Sequence, residues 1–401
     1  MSQPSQASGT LPIFRAAWIV TAVFILSNAA TPLYAHWQQA LGFASGTLTV
    51  IFGLYILGLL LTLAVAGQLA DHYGRKALLV PGVVIAIIAA VLFEHANSVA
   101  MLMLARLLSG ISVGIVVSAG MANVVEHASE SRKSFASLIA SVSMVLGAGT
   151  GPLLAGVIAQ YVADPIDWVF NAEIVLLALA LVVVLRQPNR KLGNGRFRPK
   201  LPSVARQHLA VVARGVSFFG PGLTSTCFVL ALGPKLLATL LHANSPLIAG
   251  AMAFVMFLTA VGVQFAAKKR PMTQLFVLSG ISTMLAMAGL WLALHVGSVV
   301  WLVVAALLAG AGQGLGQLGG LTLIARHIAP QRRAEANAIF NMGGYVPAGI
   351  LPVATGYLID LSGVHIAISV LTGVIALLAL AALTALQRNG TGQACDAGQP
   401  A

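Results

Sequence analysis

The chain has 401 residues, of which 58% are hydrophobic and only 8% are charged, and its mean hydropathy is +0.93. About a quarter of the residues of a soluble globular protein are charged, so this composition excludes a soluble protein and indicates an integral membrane protein. The net charge of +12 does not indicate a nucleic-acid partner, because that function needs a basic face on a soluble fold.

Twelve apolar runs are each long enough to cross the hydrocarbon core as a helix, which takes about 20 residues. The runs lack the period-two alternation of a membrane barrel, so the sequence predicts an all-α membrane protein. The first run is too long for a signal-peptide core, and we interpret it as an uncleaved span. The predicted spans are 14–38, 46–69, 77–95, 98–125, 134–161, 167–186, 214–239, 246–267, 272–295, 298–325, 334–360 and 365–386.

The basic residues predict the orientation of these spans. With the N-terminus assigned to the cytoplasm, 20 of the 22 Lys and Arg residues fall on the cytoplasmic side and no external loop holds one. This is the bias of cytoplasmic loops, so we expect a multi-pass protein of the cytoplasmic (inner) membrane with both termini in the cytoplasm. Contact of the basic loops with anionic lipid headgroups is an expected secondary effect.

A polar segment divides the spans into two sets of six. It covers residues 187–213 and is rich in Pro, Gly, Asn and Arg. We interpret it as a cytoplasmic linker between bundles at 14–186 and 214–386, with tails at 1–13 and 387–401. The halves repeat at an offset of 200, as parallel repeats of two-bundle transporters do. The matching pairs include Gly110 and Gly310, Gly114 and Gly314, Gly120 and Gly320, Pro152 and Pro352, and Gly156 and Gly356.

A short charged turn separates the second and third spans. Gly74 allows the positive φ of a sharp turn, and Gly67 is expected to allow a neighbouring helix to approach closely. The turn reads Gly67-Gln68-Leu69-Ala70-Asp71-His72-Tyr73-Gly74-Arg75-Lys76. Its pattern, GxLADxxGRK, resembles the loop between helices two and three of the major facilitator superfamily of secondary transporters. The resemblance implies twelve transmembrane helices in two pseudo-symmetric six-helix bundles.

The resemblance also implies that this loop is a latch between the bundles on the cytoplasmic side. In the family the loop's Asp meets the start of helix eleven, here near residues 334–337, and its Arg pairs with an acid at the inner end of helix four. Asp71, Arg75 and Glu126 match these roles. The alternative is a capped turn whose charges only set topology. His72 replaces a residue that is usually basic in the family, which would make the latch sensitive to pH.

Two ionisable residues inside predicted spans are functional candidates, because charges within a membrane are costly. Arg106, in the sequence RLLSG, resembles the family's second motif, which implies a part in proton transfer; the alternative is a structural Arg bonded to backbone carbonyls. Glu173 is the second candidate for proton coupling, unless its side chain snorkels to the interface. His36 and Asp71 are further candidates for the proton site.

The fifth span contains a glycine-rich stretch around a proline. Pro152 removes a helix hydrogen bond, and Gly147, Gly151 and Gly156 allow close packing of another helix, so we expect a hinge or seal. The stretch Gly147-Ala148-Gly149-Thr150-Gly151-Pro152-Leu153-Leu154-Ala155-Gly156 resembles the motif GxxxGPxxGG of proton-coupled exporters, with Ala155 in place of a Gly. The resemblance favours export over import.

By resemblance, helices one, four, seven and ten line a substrate cavity. The first span has no acid, and the charges expected in the cavity are basic, so we expect a neutral, anionic or amphipathic substrate rather than a lipophilic cation. The alternative for any polar lining residue is an interhelical hydrogen bond. The expected lining residues are Asn28, Thr31, Tyr34, Arg106, Thr224, Lys235, Gln313 and Gln317.

The predicted function is proton-coupled efflux of small organic molecules or drugs by antiport. Uptake of a sugar or other metabolite by symport or facilitated diffusion is the first alternative, and a non-transporting sensor or scaffold is the second. The sequence holds no Walker-type phosphate loop, nucleophile signature or His/Cys cluster. We therefore expect no enzyme activity, no cofactor and no metal; the expected partners are a small-molecule substrate, protons and the lipid bilayer, and the expected state is a monomer.

Overall fold

The computed structural model describes residues 10–188, 203–242, 245–329 and 332–396. Residues 1–9 and 397–401 of the predicted tails and residues 189–202 of the predicted linker lie outside these ranges. The described residues form α1 (Leu11–Ala29), α2 (Tyr34–Leu41), α3 (Ser45–Leu63), α4 (Ala66–Tyr73), α5 (Arg75–Glu94), α6 (Val99–Ile115), α7 (Met121–Glu126), α8 (Lys133–Tyr161), α9 (Pro165–Leu185), α10 (Arg206–Leu241), α11 (Pro246–Ala267), α12 (Met272–Val296), α13 (Val299–His327), α14 (Arg333–Ser362) and α15 (Val364–Asp396).

Twelve helical stretches within the described ranges are long and apolar enough to cross a membrane. This confirms the predicted all-α membrane fold with twelve spans. The stretches are Leu11–Leu41, Ser45–Leu63, Arg75–Glu94, Val99–Glu126, Phe135–Tyr161, Pro165–Leu185, Arg206–Leu241, Pro246–Ala267, Met272–Val296, Val299–His327, Glu335–Ser362 and Val364–Arg388.

The second span is shorter than the sequence predicted. It ends at Leu63, and a two-residue turn separates it from α4, whereas the predicted span ran on to residue 69. The Thr62 hydroxyl donates to the Gly58 carbonyl at 2.8 Å, and such bonds to the preceding turn weaken and bend helices. The apolar pattern continues through this turn and therefore gives no sign of it.

The fourth span contains a π-helical segment, Val116–Gly120, between α6 and α7. Segments of this kind occur mostly as single turns inside α-helices and are frequent at functional sites. A corresponding irregularity in the first span is a 3₁₀ turn at Thr31–Leu33 between α1 and α2, where Pro32 cannot donate a helix hydrogen bond. Both irregularities fall within stretches that the hydropathy pattern predicts as continuous.

The chain divides into two compact units. The first contains Met1–Leu41, Leu54–Leu201 and Pro246–Phe254, and the second contains Gly42–Gly53, Pro202–Ser245 and Val255–Ala401. The helices α3 and α11 therefore each contribute residues to both units. The predicted bundle boundaries, in contrast, keep each of these helices whole within one half.

The offset of 200 reappears as a recurring helix contact. In the first unit, a Cβ placed on Gly110 of α6 would overlap the carbonyl oxygen of Tyr55 on α3. In the second unit, a Cβ on Gly310 of α13 would overlap the carbonyl oxygen of Met256 on α11. Only glycine lets these backbones lie so close, as small residues do between membrane helices. The sequence repeat is thus also a repeat of packing.

Candidate functional site

The loop after α4 turns as its glycine predicts. Gly74 has φ 92°, a conformation that residues with a side chain rarely adopt. Its amide donates to the Ala70 carbonyl at 3.0 Å and so ends α4, and α5 begins at the next residue. This places Asp71 and Arg75 four residues apart across the turn, within reach of each other.

Three charged side chains meet at this turn. The Arg75 guanidinium lies 2.8 Å from the Asp71 carboxylate and 3.0 Å from that of Glu126 at the end of α7. The contact between Arg75 and Glu126 that the sequence predicted is thus confirmed. Arg75 is mostly covered, with 16% of its side chain exposed, whereas 69% of the Asp71 side chain is exposed. The role of Asp71 at the start of helix eleven stays a prediction.

Gly67 does not have the role that the sequence suggested. It lies in α4, and no described atom would come within 4 Å of a Cβ added there. The expected close approach of a neighbouring helix is therefore wrong for the described part of the chain. The apolar run misled the prediction because it placed Gly67 at the end of the long second span rather than in the separate short helix.

Arg106 is fully buried inside the first unit. Its Nε donates to the hydroxyl of Tyr34, and its Nη1 donates to the Ser27 carbonyl at 2.6 Å. The guanidinium carbon lies 5.2 Å from the Tyr34 ring centroid and 5.8 Å from that of Tyr55, where aromatic faces attract cations. Two predicted residues, Arg106 and Tyr34, thus form one site. The hydrogen bond to the Ser27 carbonyl is also what a purely structural arginine would make. The geometry is therefore compatible with both the functional and the structural interpretation of Arg106.

Glu173 is buried on α9, with 4% of the residue exposed. The snorkelling alternative is therefore wrong. Its Oε2 is buried, with no hydrogen-bond partner among the described residues. One turn earlier, Phe170 stacks on Phe93 at 5.1 Å between ring centroids, and the guanidinium carbon of Arg106 lies 5.7 Å from that same Phe93 ring. Arg106 therefore lies near one ring of this aromatic pair, and Glu173 lies one helical turn from the residue that carries the other ring.

Asn28 and Thr31 lie in the same unit and are both buried. The Asn28 amide donates to the Ser27 hydroxyl at 3.1 Å and to the Ala148 carbonyl of α8 at 3.4 Å. Asn28 thus makes the interhelical bond that was the alternative to substrate contact. The Thr31 hydroxyl, in contrast, has no partner among the described residues.

The glycines of α8 form two close backbone contacts with α1. A Cβ on Gly147 would lie 2.5 Å from the Thr21 carbonyl oxygen, and one on Gly151 would overlap the carbonyl oxygen of Ile25. The predicted close packing is confirmed at these positions. The role as a hinge or seal stays a prediction.

The other face of α8 packs on the first residues of α11. A Cβ on Gly156 would overlap the Pro246 carbonyl oxygen, and one on Gly250 would overlap the Pro152 carbonyl oxygen. The glycine motif of α8 therefore fits two neighbouring helices at once.

The polar candidates of the second unit behave differently from one another. The Thr224 hydroxyl donates to the Gly220 carbonyl of its own helix at 2.7 Å. Gln317 accepts a bond from the Gln264 amide of α11 at 3.2 Å. Gln313 has a buried Oε1 without a partner within the described ranges, so its carboxamide is the group with a free acceptor.

Lys235 belongs to a polar cluster that the sequence did not reveal. Its ammonium donates to the hydroxyl of Ser45 at the start of α3. The carboxylate of Asp360, on α14, accepts from the backbone N–H groups of Ser45 at 3.0 Å and of Gly46 at 2.6 Å. Asp360 thus caps the N-terminus of α3, where an anion is favoured. The sequence analysis missed Asp360, because a capping residue is recognised locally and this one lies more than 300 positions from the helix that it caps.

The family profile of the Major Facilitator Superfamily matches residues 17–316 and 222–400. The chain belongs to the major facilitator superfamily. A solved structure of the nucleoside transporter NupG, determined as a point mutant, shares the superfamily fold with this chain at a TM-score of 0.71 and 13% identity, over 93% of this chain and 99% of that one. The predicted family and fold are thus confirmed.

Curated relatives align with parts of this superfamily chain. An uncharacterized transporter of Rickettsia felis is 30% identical over 41% of this chain and 42% of its own length. The multidrug resistance protein 1 of Bacillus subtilis is 26% identical over 51% and 53%. The quinolone resistance protein NorA of Staphylococcus aureus is 23% identical over 45% and 47%. The chain spans about half the length of the curated relatives it matches.

Proposed function

We propose that this chain is a secondary active transporter that exports small organic molecules in exchange for protons. The observation that carries the proposal is the pair of buried ionisable groups, Arg106 and Glu173, within the first unit. Such groups are expensive inside a membrane and are usually retained for transport or proton relay. In the proposed cycle, Glu173 takes up and releases the proton, and Arg106 holds Tyr34 at the site.

The direction of transport is proposed from two further observations. The Gly147 to Gly156 stretch resembles an exporter motif, and its glycines pack closely against α1 and α11. Two of the relatives are named for resistance to drugs or quinolones. We infer export across the inner membrane with both termini in the cytoplasm, and alternating access as the mechanism.

The proposed substrate is neutral, anionic or amphipathic. The buried charge nearest to the predicted cavity residues of the first unit is the Arg106 cation, and the described part of α1 and α2 holds no acid. A permanent cation would meet repulsion there, which in a low dielectric is stronger than in water.

Uptake of a hydrogen-bonding metabolite is the second candidate. It is favoured by Gln313, whose buried carboxamide oxygen has no partner among the described residues. A buried acceptor without a partner is costly, and a substrate with N–H or O–H groups would satisfy it.

The test is flux in proteoliposomes under an imposed pH gradient, with neutral, anionic and cationic compounds. Substrate movement against the proton flow supports antiport; movement with the protons, or flux indifferent to the gradient, contradicts it. We expect Glu173→Gln to lose gradient-driven flux but to keep exchange of substrate for substrate. The matched control is Glu130→Gln, which removes an exposed acid paired only with Lys133 among described groups and should leave both activities intact.

Arg106 is tested with two variants. Arg106→Lys keeps the charge but has a single donor group, so we expect substrate binding to weaken while the protein still folds. Arg106→Ala leaves the Ser27 carbonyl and the Tyr34 hydroxyl without their donor, and each loss costs about 1–3 kcal/mol of stability. Normal gradient-driven flux in the Lys variant would contradict a role for the guanidinium in transport.

A further inference from the structure

A cavity of about 240 Å³ lies in the first unit, away from the buried charges of the proposed transport site. It opens where three membrane spans end together: at the start of Leu11–Leu41, after Val99–Glu126 and after Pro165–Leu185. Its polar wall includes Arg15, His127 and Arg186, and its apolar wall includes Pro12, Val182 and Val183.

The ends of these three spans place the cavity where the boundary between lipid and water is expected. Leu11, Phe14 and Leu185 flank it in sequence and are exposed on the surface of the unit, as apolar side chains are where they face acyl chains. His127 and Arg186 come directly after their spans, and Arg15 lies about one turn inside its span, positions at which basic residues are expected near the lipid headgroups. An occupant of the cavity is therefore drawn from this boundary layer.

The described residues do not balance the positive charge of the cavity. Within the described ranges, neither Arg15 nor Arg186 forms an ion pair, and no acid lines the cavity. Arg75, by comparison, is paired with two carboxylates. The Nδ1 of His127 donates to a backbone carbonyl at 2.8 Å, which leaves its Nε2 for another partner.

We propose that this cavity binds the phosphate group of an anionic phospholipid. Guanidinium groups match phosphate oxygens with two parallel hydrogen bonds, and basic pockets between spans on the cytoplasmic side bind anionic headgroups. The apolar wall distinguishes a lipid from free phosphate, because Val182, Val183 and Pro12 would contact the glycerol backbone and the first acyl carbons. The proposal does not depend on the direction or substrate of transport.

The test is native mass spectrometry of the full chain in detergent, titrated with phosphatidylglycerol, phosphatidylcholine or inorganic phosphate. We expect retained phosphatidylglycerol adducts, weakened roughly fivefold by Arg15→Gln or Arg186→Gln and about twentyfold by the double variant, since each basic residue near an anionic lipid contributes about that factor. The charge-matched control is Lys268→Gln with Lys269→Gln, on the turn after α11, which should leave binding within about twofold of wild type.

A second variant separates charge from shape. Val183→Phe keeps both arginines but fills the cavity, and we expect it to weaken phosphatidylglycerol binding as strongly as the loss of one arginine. Equal losses in the Lys268/Lys269 control would mean non-specific attraction and would overturn the site. Binding of phosphate alone, or equal binding of phosphatidylcholine, would overturn the assignment to an anionic lipid.

Discussion

Removing the carboxylate of Asp360 should destabilise the start of α3 by a measurable amount. The two oxygens accept from the N–H groups of Ser45 and Gly46 at 3.0 and 2.6 Å, and both of these residues are buried. Asp360→Ala removes the partner of both donors, but Asp360 itself is exposed, so water can reach the space that its carboxylate leaves. The expected loss of unfolding free energy is therefore that of a lost helix cap, about 0.5–2 kcal/mol.

The assay is thermal unfolding of purified protein in one detergent, followed by intrinsic fluorescence and by loss of monodisperse protein. Asp360→Asn keeps one acceptor oxygen, so its effect should be about half that of Asp360→Ala. Asp164→Ala is the matched control: this exposed acid precedes α9 but makes no side-chain cap bond, and its loss should cost less than about 0.5 kcal/mol. If Asp360→Ala and Asp164→Ala unfold alike, the cap contributes nothing and the reasoning fails.

Two further predictions test the glycine contacts and the charged turn. Gly151→Leu should destabilise the protein by at least about 1–3 kcal/mol, because a backbone carbonyl occupies the space that a Cβ would need. The control is Gly262→Leu, which has open space around it and should be close to neutral in the same unfolding assay. Replacing Arg75 and Glu126 by Gln, singly and together, should give a coupling free energy of about 0.2–1 kcal/mol that shrinks in high salt, and a coupling that salt does not change would contradict a solvent-screened pair.

The sequence predicted those features that depend on neighbours along the chain. Hydrophobic run length placed all twelve spans, because a helix must satisfy its backbone hydrogen bonds internally within the bilayer. The glycine at position 74 indicated a positive φ at the turn, since few other residues adopt that backbone conformation. The offset of 200 predicted a repeated packing, and Gly110 and Gly310 occupy corresponding contacts.

Features that depend on distant residues were not predictable in this way. Asp360 caps a helix that begins 315 positions earlier, and nothing near it in sequence marks that partner. Whether Glu173 is buried or reaches the interface depends on which face of α9 packs inward, and an apolar run without clear periodicity does not indicate a face. The break after Leu63 adjoins a side-chain hydrogen bond of Thr62 to the Gly58 carbonyl, and it leaves the hydropathy pattern unchanged.

A comparison of the glycine contacts of α8 and α14 distinguishes contacts that belong to the repeated fold from contacts that belong to the exporter motif. Gly156 of α8 meets the start of α11, and its counterpart Gly356 of α14 meets Ser45 and Thr49 at the start of α3. The second half forms the corresponding contact at Gly356 without the exporter motif, so the Gly156 contact belongs to the repeated fold. The backbone contacts of Gly147 and Gly151 with α1 are different, because the second half has Pro347 and Leu351 at those positions. If the motif influences the direction of transport, its effect is expected at contacts that the second half lacks, such as those of Gly147 and Gly151 with α1, where glycine lets the two backbones lie close together without interlocking side chains.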